Sequence, residues 1–121
     1  MDRETVKQGL RAYSLIDGII SSKEQIALEF GNDEVGKLHH REIESLRTAK
    51  RQMINALNTL NDIQMDVVWR KYIRGEYWVR VGMRHHYSER QIIRIGEAGL
   101  DALAEIMEEY PEAADFCKKC C

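Results

Sequence analysis

The segment Glu76-Tyr77-Trp78-Val79-Arg80-Val81-Gly82-Met83-Arg84-His85-His86-Tyr87-Ser88-Glu89-Arg90-Gln91-Ile92-Ile93-Arg94-Ile95 decides how the chain is read. It reads as two short helices joined by a tight turn. Trp78, Val81 and Gly82 recur at helical spacing and share one face. Ile92, Ile95, Gly99, Leu103 and Ile106 continue that period further on. Between the two runs, Ser88 is followed by Gln91 at the spacing of a capping box. The Ser hydroxyl accepts a free amide near Gln91, and the Gln side chain reaches back. A new helix is therefore expected at Ser88, apolar inside and cationic outside through Arg90 and Arg94. His85-His86-Tyr87 is left as the turn, and His tolerates the positive φ that such a turn uses.

Working outward, Asn61-Asp62 supplies a cap for a preceding helix carrying Ile63, Val67, Val68, Tyr72 and Ile73 and ending at Gly75. A helix over Glu76 to Arg84 follows, and the one from Ser88 runs to about Glu109, before Pro111. Ahead of these, Val6, Leu10, Tyr13, Ile16, Ile20, Ala27 and Phe30 form one stripe, interrupted near Lys23. They predict a first helix from Asp2 or Arg3 to Phe30, closed by a Gly31 cap and a loop through Gly36. Ile43, Leu46, Met53, Leu57 and Leu60 predict a second helix from about Lys37 with a coiled-coil-like seam, broken at Lys50. The two can fold back as a hairpin or pair with a second chain. The expectation is an all-α protein of five helices. Residues 1–60 form a helical hairpin or coiled-coil extension, 61–110 a three-helix helix-turn-helix domain, and 111–121 a loose tail.

Composition bounds the class. A 121-residue chain with 44% hydrophobic content supports one modest core, and a single Pro, Pro111, favours helix. Met1-Asp2-Arg3-Glu4 leads straight into a polar amphipathic pattern, so no signal peptide is expected. No apolar run reaches membrane-spanning length. The net charge of -2 and pI of about 6.1 hide an asymmetry. Seven bases and two acids lie between Arg70 and Ile95, but seven acids and no base between Glu97 and Asp115. A basic segment on a helix entered through a short turn is the electrostatic footprint of a DNA reader.

On that reading Glu89, Arg90, Gln91, Ile93 and Arg94 face the base edges. Arg pairs with guanine, Gln with adenine, and an exposed Ile93 meets a thymine methyl. Gln91 ranks lower because capping occupies it. Arg70, Lys71, Arg74, Tyr77, Arg80, Arg84 and Ser88 are the phosphate candidates, which position the protein without reading sequence. Tyr72 and Trp78 belong to the core. The acidic run from Glu97 must point away from the duplex, as a solvated face or towards a basic partner such as RNA polymerase.

The stretch from Val67 to Leu103 resembles the helix-turn-helix of sigma-70 region 4 and, more closely, the phage transcriptional regulators of the RinA/ArpU type. The resembling residues are Arg70-Lys71-Tyr72-Ile73-Arg74-Gly75, Trp78-Val79-Arg80-Val81-Gly82, Tyr87-Ser88-Glu89-Arg90-Gln91-Ile92, Arg94, Ala98 and Leu103. They cover about a third of the chain. Val81-Gly82 stands where these motifs usually carry Ile-Ala, and His85-His86 where they carry Leu followed by Gly or Asn. The resemblance implies a small phage or prophage protein that acts on late or packaging genes.

Cys117-Lys118-Lys119-Cys120-Cys121 holds all three cysteines and one C-x-x-C. Zinc takes four ligands, and nothing in sequence brings His39-His40 or His85-His86 to them. Reduced thiols on a mobile tail are expected, with no metal and no other cofactor. No spaced nucleophile, base and acid occur, and no phosphate-binding Gly loop, so the chain is not read as an enzyme. The expectation is a cytoplasmic, bacterial-host, sequence-specific double-stranded DNA-binding regulator. Host RNA polymerase and a second copy of the chain are its further partners. The alternative is a helical assembly or adaptor protein, such as a small DNA-packaging subunit.

Overall fold

Amphipathic periods and capping residues divide the chain into helices. The computed structural model describes residues 1–31 and 33–120. Among them are seven α-helices and no strand: α1 (Arg3–Tyr13), α2 (Ile16–Phe30), α3 (Glu34–Leu57), α4 (Asp62–Val68), α5 (Trp78–His85), α6 (Glu89–Ile106) and α7 (Pro111–Lys119). The all-α expectation holds. Four helices start by one device, a side-chain oxygen accepting the amide three residues on. Asp2 takes Thr5 N–H, Asp33 takes Gly36, Asn61 takes Gln64 and Ser88 takes Gln91. Among the described residues no helix is long and apolar enough to cross a membrane.

The expected first helix is two. The Leu15 amide turns back to the Ala12 carbonyl at 2.9 Å, and Ser14 Oγ donates to the Arg11 carbonyl at 2.9 Å. The chain changes direction there because its two halves bury against different partners. Val6, Leu10 and Tyr13 of α1 pack towards α6, α7 and the turn after α4, whereas Ile16, Ile20 and Ala27 of α2 lie along α3. Phe30, expected in the same buried stripe, is exposed. The loop expected through Gly36 is shorter: Gly31 closes α2 with φ of 58°, and Asp33 already caps α3. Asn32, part of that loop, lies outside the described residues. Lys50, the break in the α3 seam, reaches across to Asp17 at 2.6 Å.

The boundary expected at residue 60 separates no two cores. Leu10, Met53, Leu57, Leu100, Leu103 and Met107 belong to one buried cluster. A smaller one, Val67, Val81 and Ile92, joins α4, α5 and α6. After α4 the chain widens into a π-turn over Trp69–Ile73, where the Arg74 amide reaches the Trp69 carbonyl at 2.9 Å, and reverses at Gly75 with φ of 75°. The turn aims two rings inward: Trp69 meets Tyr13 edge-on at 6.0 Å and Tyr72 meets Trp78 at 5.9 Å. The helix from Ser88 ends at Ile106 and continues as one tight turn, Met107–Glu109.

Residues 111–119 are not a loose tail. Pro111 sits at the first position of α7, where its missing N–H costs nothing. Ala113, Ala114 and Cys117 are buried against α1 and α3. Gln52 Oε1 accepts the first free amides of α7, from Glu112 at 3.0 Å and Ala113 at 3.1 Å. Gly9 lets α1 approach this closely. A Cβ there would lie 2.1 Å from Cys117 Sγ and 3.1 Å from its Cα. Because a backbone atom is involved, the clash is not relieved by a rotamer change. Gly9→Ala is expected to destabilise by about 1–3 kcal/mol and to lower the midpoint of thermal unfolding followed by circular dichroism. An unchanged midpoint would mean that α7 does not dock on α1.

Candidate functional site

The site grows from the junction of α5 and α6. The last residue of the turn out of α5, His86, is left-handed with φ of 59°. This directs the Tyr87 amide to the Gly82 carbonyl at 2.9 Å. Gly82 has a local reason: a Cβ there would stand 2.9 Å from the Tyr87 carbonyl oxygen. Its lack of a side chain lets the turn fold onto α5. Ser88 then caps α6, with Gln91 N–H donating to its Oγ at 3.2 Å and Ser88 N–H donating to Gln91 Oε1 at 3.0 Å. The capping box expected from sequence is present in both directions.

The first turns of α6 present Glu89, Arg90 and Arg94 to solvent, with Gln91 beside them. Gln91 spends its oxygen on the cap. The Ser88 hydroxyl does likewise, donating to Gln91 Oε1 at 3.0 Å, so it is not open to a phosphate as expected. Ile93 is a correction. It is half-buried in a groove with Tyr72, Trp78 and Leu100, facing α1 and not outward. It sits on the flank of α6 that carries Glu97, and Arg3 of α1 holds Glu97 at 3.5 Å and Asp101 at 2.8 Å. The acidic run is thus partly spent on docking α1 against α6.

The phosphate candidates divide into two groups. Arg70 is largely buried between Asp66 at 2.9 Å and Glu76 at 3.3 Å and leaves the set. Its charge is consumed in joining α4 to the segment ahead of α5. Arg74 is exposed but shares Glu76 at 3.6 Å. Lys71 lies half-buried with its ammonium 5.0 Å from the Trp78 ring centroid. Tyr77, just ahead of α5, is 81% exposed. Arg84 is exposed and stands 3.8 Å from Asp66. Arg80, Arg90 and Arg94 are exposed and make no ion pair among the described residues. α1 adds two bases that sequence reasoning missed, Lys7 and Arg11, on the groove that Lys71 and Ile93 line. Their residues are distant in sequence, and only the docking of α1 brings them there.

Asp66 was also missed. It accepts from Arg70 Nε at 2.9 Å and faces His85 Nε2 at 2.6 Å, tying α4 to the last turn of α5. The i,i+4 spacing of Asp66 and Arg70 is visible in sequence; the His85 contact is not. Burial, the largest single influence, pushes the Asp66 carboxyl up. The hydrogen bonds from His85 and Arg70 together outweigh it and hold it below its ordinary value of 3.8. A carboxylate with a lowered folded pKa stabilises the fold above its unfolded pKa and loses that contribution as pH falls through the folded value. Removing its charge weakens the hydrogen bonds to Arg70 and His85, both partly buried, so Asp66→Asn should cost about 1–3 kcal/mol at pH 7. In urea titrations the gap between wild type and variant is expected to narrow as pH falls below the ordinary carboxylate value of 3.8 and to close once it passes the lowered folded value, where wild-type Asp66 is protonated too. A gap that stays constant with pH would show that the carboxylate charge is not what holds the junction.

Among the described residues no group of three or more His, Cys, Asp or Glu side chains is placed to hold a metal ion. Cys117 is buried in α7, and Cys121 lies outside the described residues. The functional geometry therefore reduces to a capped helix start with three open guanidinium groups on α5 and α6. Comparison with curated proteins and with solved structures finds no match. A family model described as "Protein of unknown function (DUF722)" matches residues 17–104, from the first turn of α2 to near the end of α6. That span is most of the chain and leaves out α1 and α7: the protein belongs to the DUF722 family.

Proposed function

We propose that α4, α5 and α6 act as a helix-turn-helix that binds double-stranded DNA, with the start of α6 as the reading helix. The observation that carries this reading is the pair Arg90 and Arg94. Both are exposed on the first turns of a capped helix, and neither has an acidic partner among the described residues. Arg3, Lys23, Arg47, Lys50 and Arg70, by contrast, all have carboxylate partners. Guanidinium groups left open at a helix start suit the major groove. Arg80 and Tyr77, and Arg84 beyond its long contact with Asp66, sit on and ahead of the preceding helix and suit the phosphates. Glu89 borders the readers and would select for a cytosine amino group. The resemblance to RinA/ArpU-type regulators adds the biological class: a regulator of phage late or packaging genes, working with host RNA polymerase in the bacterial cytoplasm.

A second reading is an assembly or adaptor protein, such as a small DNA-packaging subunit. It is favoured by the apolar side chains that the α2–α3 hairpin leaves in water, among them Leu28 at 83% exposure.

The two readings separate on DNA. Selection from a random duplex pool at fixed salt is expected to return a preferred sequence. On that sequence, Arg94→Ala should cost about 1–3 kcal/mol and relax the preference at one base pair. Arg80→Ala should weaken cognate and scrambled duplexes alike and flatten the salt dependence by about one unit. If Arg94→Ala lowers both duplexes by the same factor, Arg94 is not a base reader. If neither substitution changes binding, the assembly reading takes its place.

A further inference from the structure

The helix α2 is apolar on two faces, and the fold covers only one. Ile16, Ile20 and Ala27 are buried along α3. Leu15, Ile19, Ser22, Ile26 and Phe30 recur at spacings of four, three, four and four, which keeps them on one side of the helix. They form a second stripe turned about a quarter of the helix away. Leu15 is 63% exposed, Ile19 38%, Ile26 36% and Phe30 45%. A helix with apolar residues on two faces needs a partner on each.

We infer that this stripe is the contact face of a homodimer in which α2 packs antiparallel on α2 of a second copy. Three observations select that occupant. The first is area. The four apolar side chains leave on the order of 400 Å² in water. A standard interface of about 800 Å² per partner, a little over half of it non-polar, uses about that much. The second is charge. Asp17, Lys23 and Glu24 are already paired with Lys50, Glu42 and Arg47 of α3, so these charges are held towards α3 and not on the stripe. Glu29 is the one charged residue of α2 without an ion pair among the described residues. The antiparallel pairing sets each Glu29 beside Gly18 of the other copy, where no side chain crowds it. The third is Gly18 itself, on the same flank of the stripe. A methyl there would meet nothing within 4 Å, so no contact within the chain calls for glycine at this helix-interior position. Close approach of a second helix does.

The antiparallel seam is self-complementary, as a two-fold interface requires. Leu15 meets Phe30 of the second copy, Ile19 meets Ile26, and Ser22 lies at the centre. The inference does not depend on DNA binding and would hold for the assembly reading as well.

Light scattering on the full chain tests it. Wild type at micromolar concentration is expected at twice its 14.1 kDa mass, and Ile19→Lys and Ile26→Glu at the single-chain mass with unchanged helical circular dichroism. Mixing the two variants should restore a dimer, because the antiparallel register sets Lys at 19 against Glu at 26. Should either variant fail to fold, Leu15→Ser removes the most exposed residue of the stripe and is expected to weaken the dimer at least tenfold. A wild-type monomer overturns the inference. So does a dimer that survives these substitutions, or a mixture of the two charged variants that stays monomeric.

Discussion

Leu10, Met53, Leu57, Leu103 and Met107 are fully buried against one another, and every other feature depends on that contact. The short helices around them do not stand alone: α1, which carries Leu10, has 11 residues, and α7, which packs on the same core, only 9, lengths at which isolated helices are marginal in water. Each side chain of this size contributes roughly 1.5–3 kcal/mol by leaving water. That gain is realised only when α1, α3, α6 and α7 assemble together. The core therefore forms as a unit, and an extension and a separate domain do not describe it.

The surface chemistry follows from how that core places carboxylates. Asp66 and Glu76 sit where α4 turns towards α5, and they take Arg70 fully and Arg74 and Arg84 in part. The bases of the 70–95 segment left open are Arg80 on α5 and Arg90 and Arg94 on the first turns of α6. A basic segment that looks uniform in sequence is thus sorted into cations that hold the fold and cations that meet solvent. The acids of α6 are sorted in the same way, since Glu97 and Asp101 hold Arg3 while the start of the helix keeps its bases unpaired.

Local chemistry was legible from the residues. Ser88 with Gln91 predicts a helix start, and both hydrogen bonds are made. Asn61 predicts the start of α4 and Gly31 the end of α2, and each does so. The broken positions were legible as breaks but not as contacts: Lys50 interrupts a seam, and its partner Asp17 is known only once α2 lies along α3. Ile93 was misread because a helical wheel does not say how wide the buried arc is. Here α1 covers a flank of α6 that the residues of α6 alone leave open.

The sequence by itself determined the all-helical class, the caps, and the capped, cationic start of α6. These rest on hydrogen bonds and spacings within a few residues. Only the tertiary structure decided that residues 3–30 break at Ser14, that residues 111–119 fold into the core, and which arginines remain open. Each of these turns on a contact between residues far apart in the chain: Gly9 with Cys117, Arg3 with Asp101, Asp66 with His85. Such contacts trade desolvation against pairing at a distance set by the packing of whole helices, and a local period carries no record of that distance.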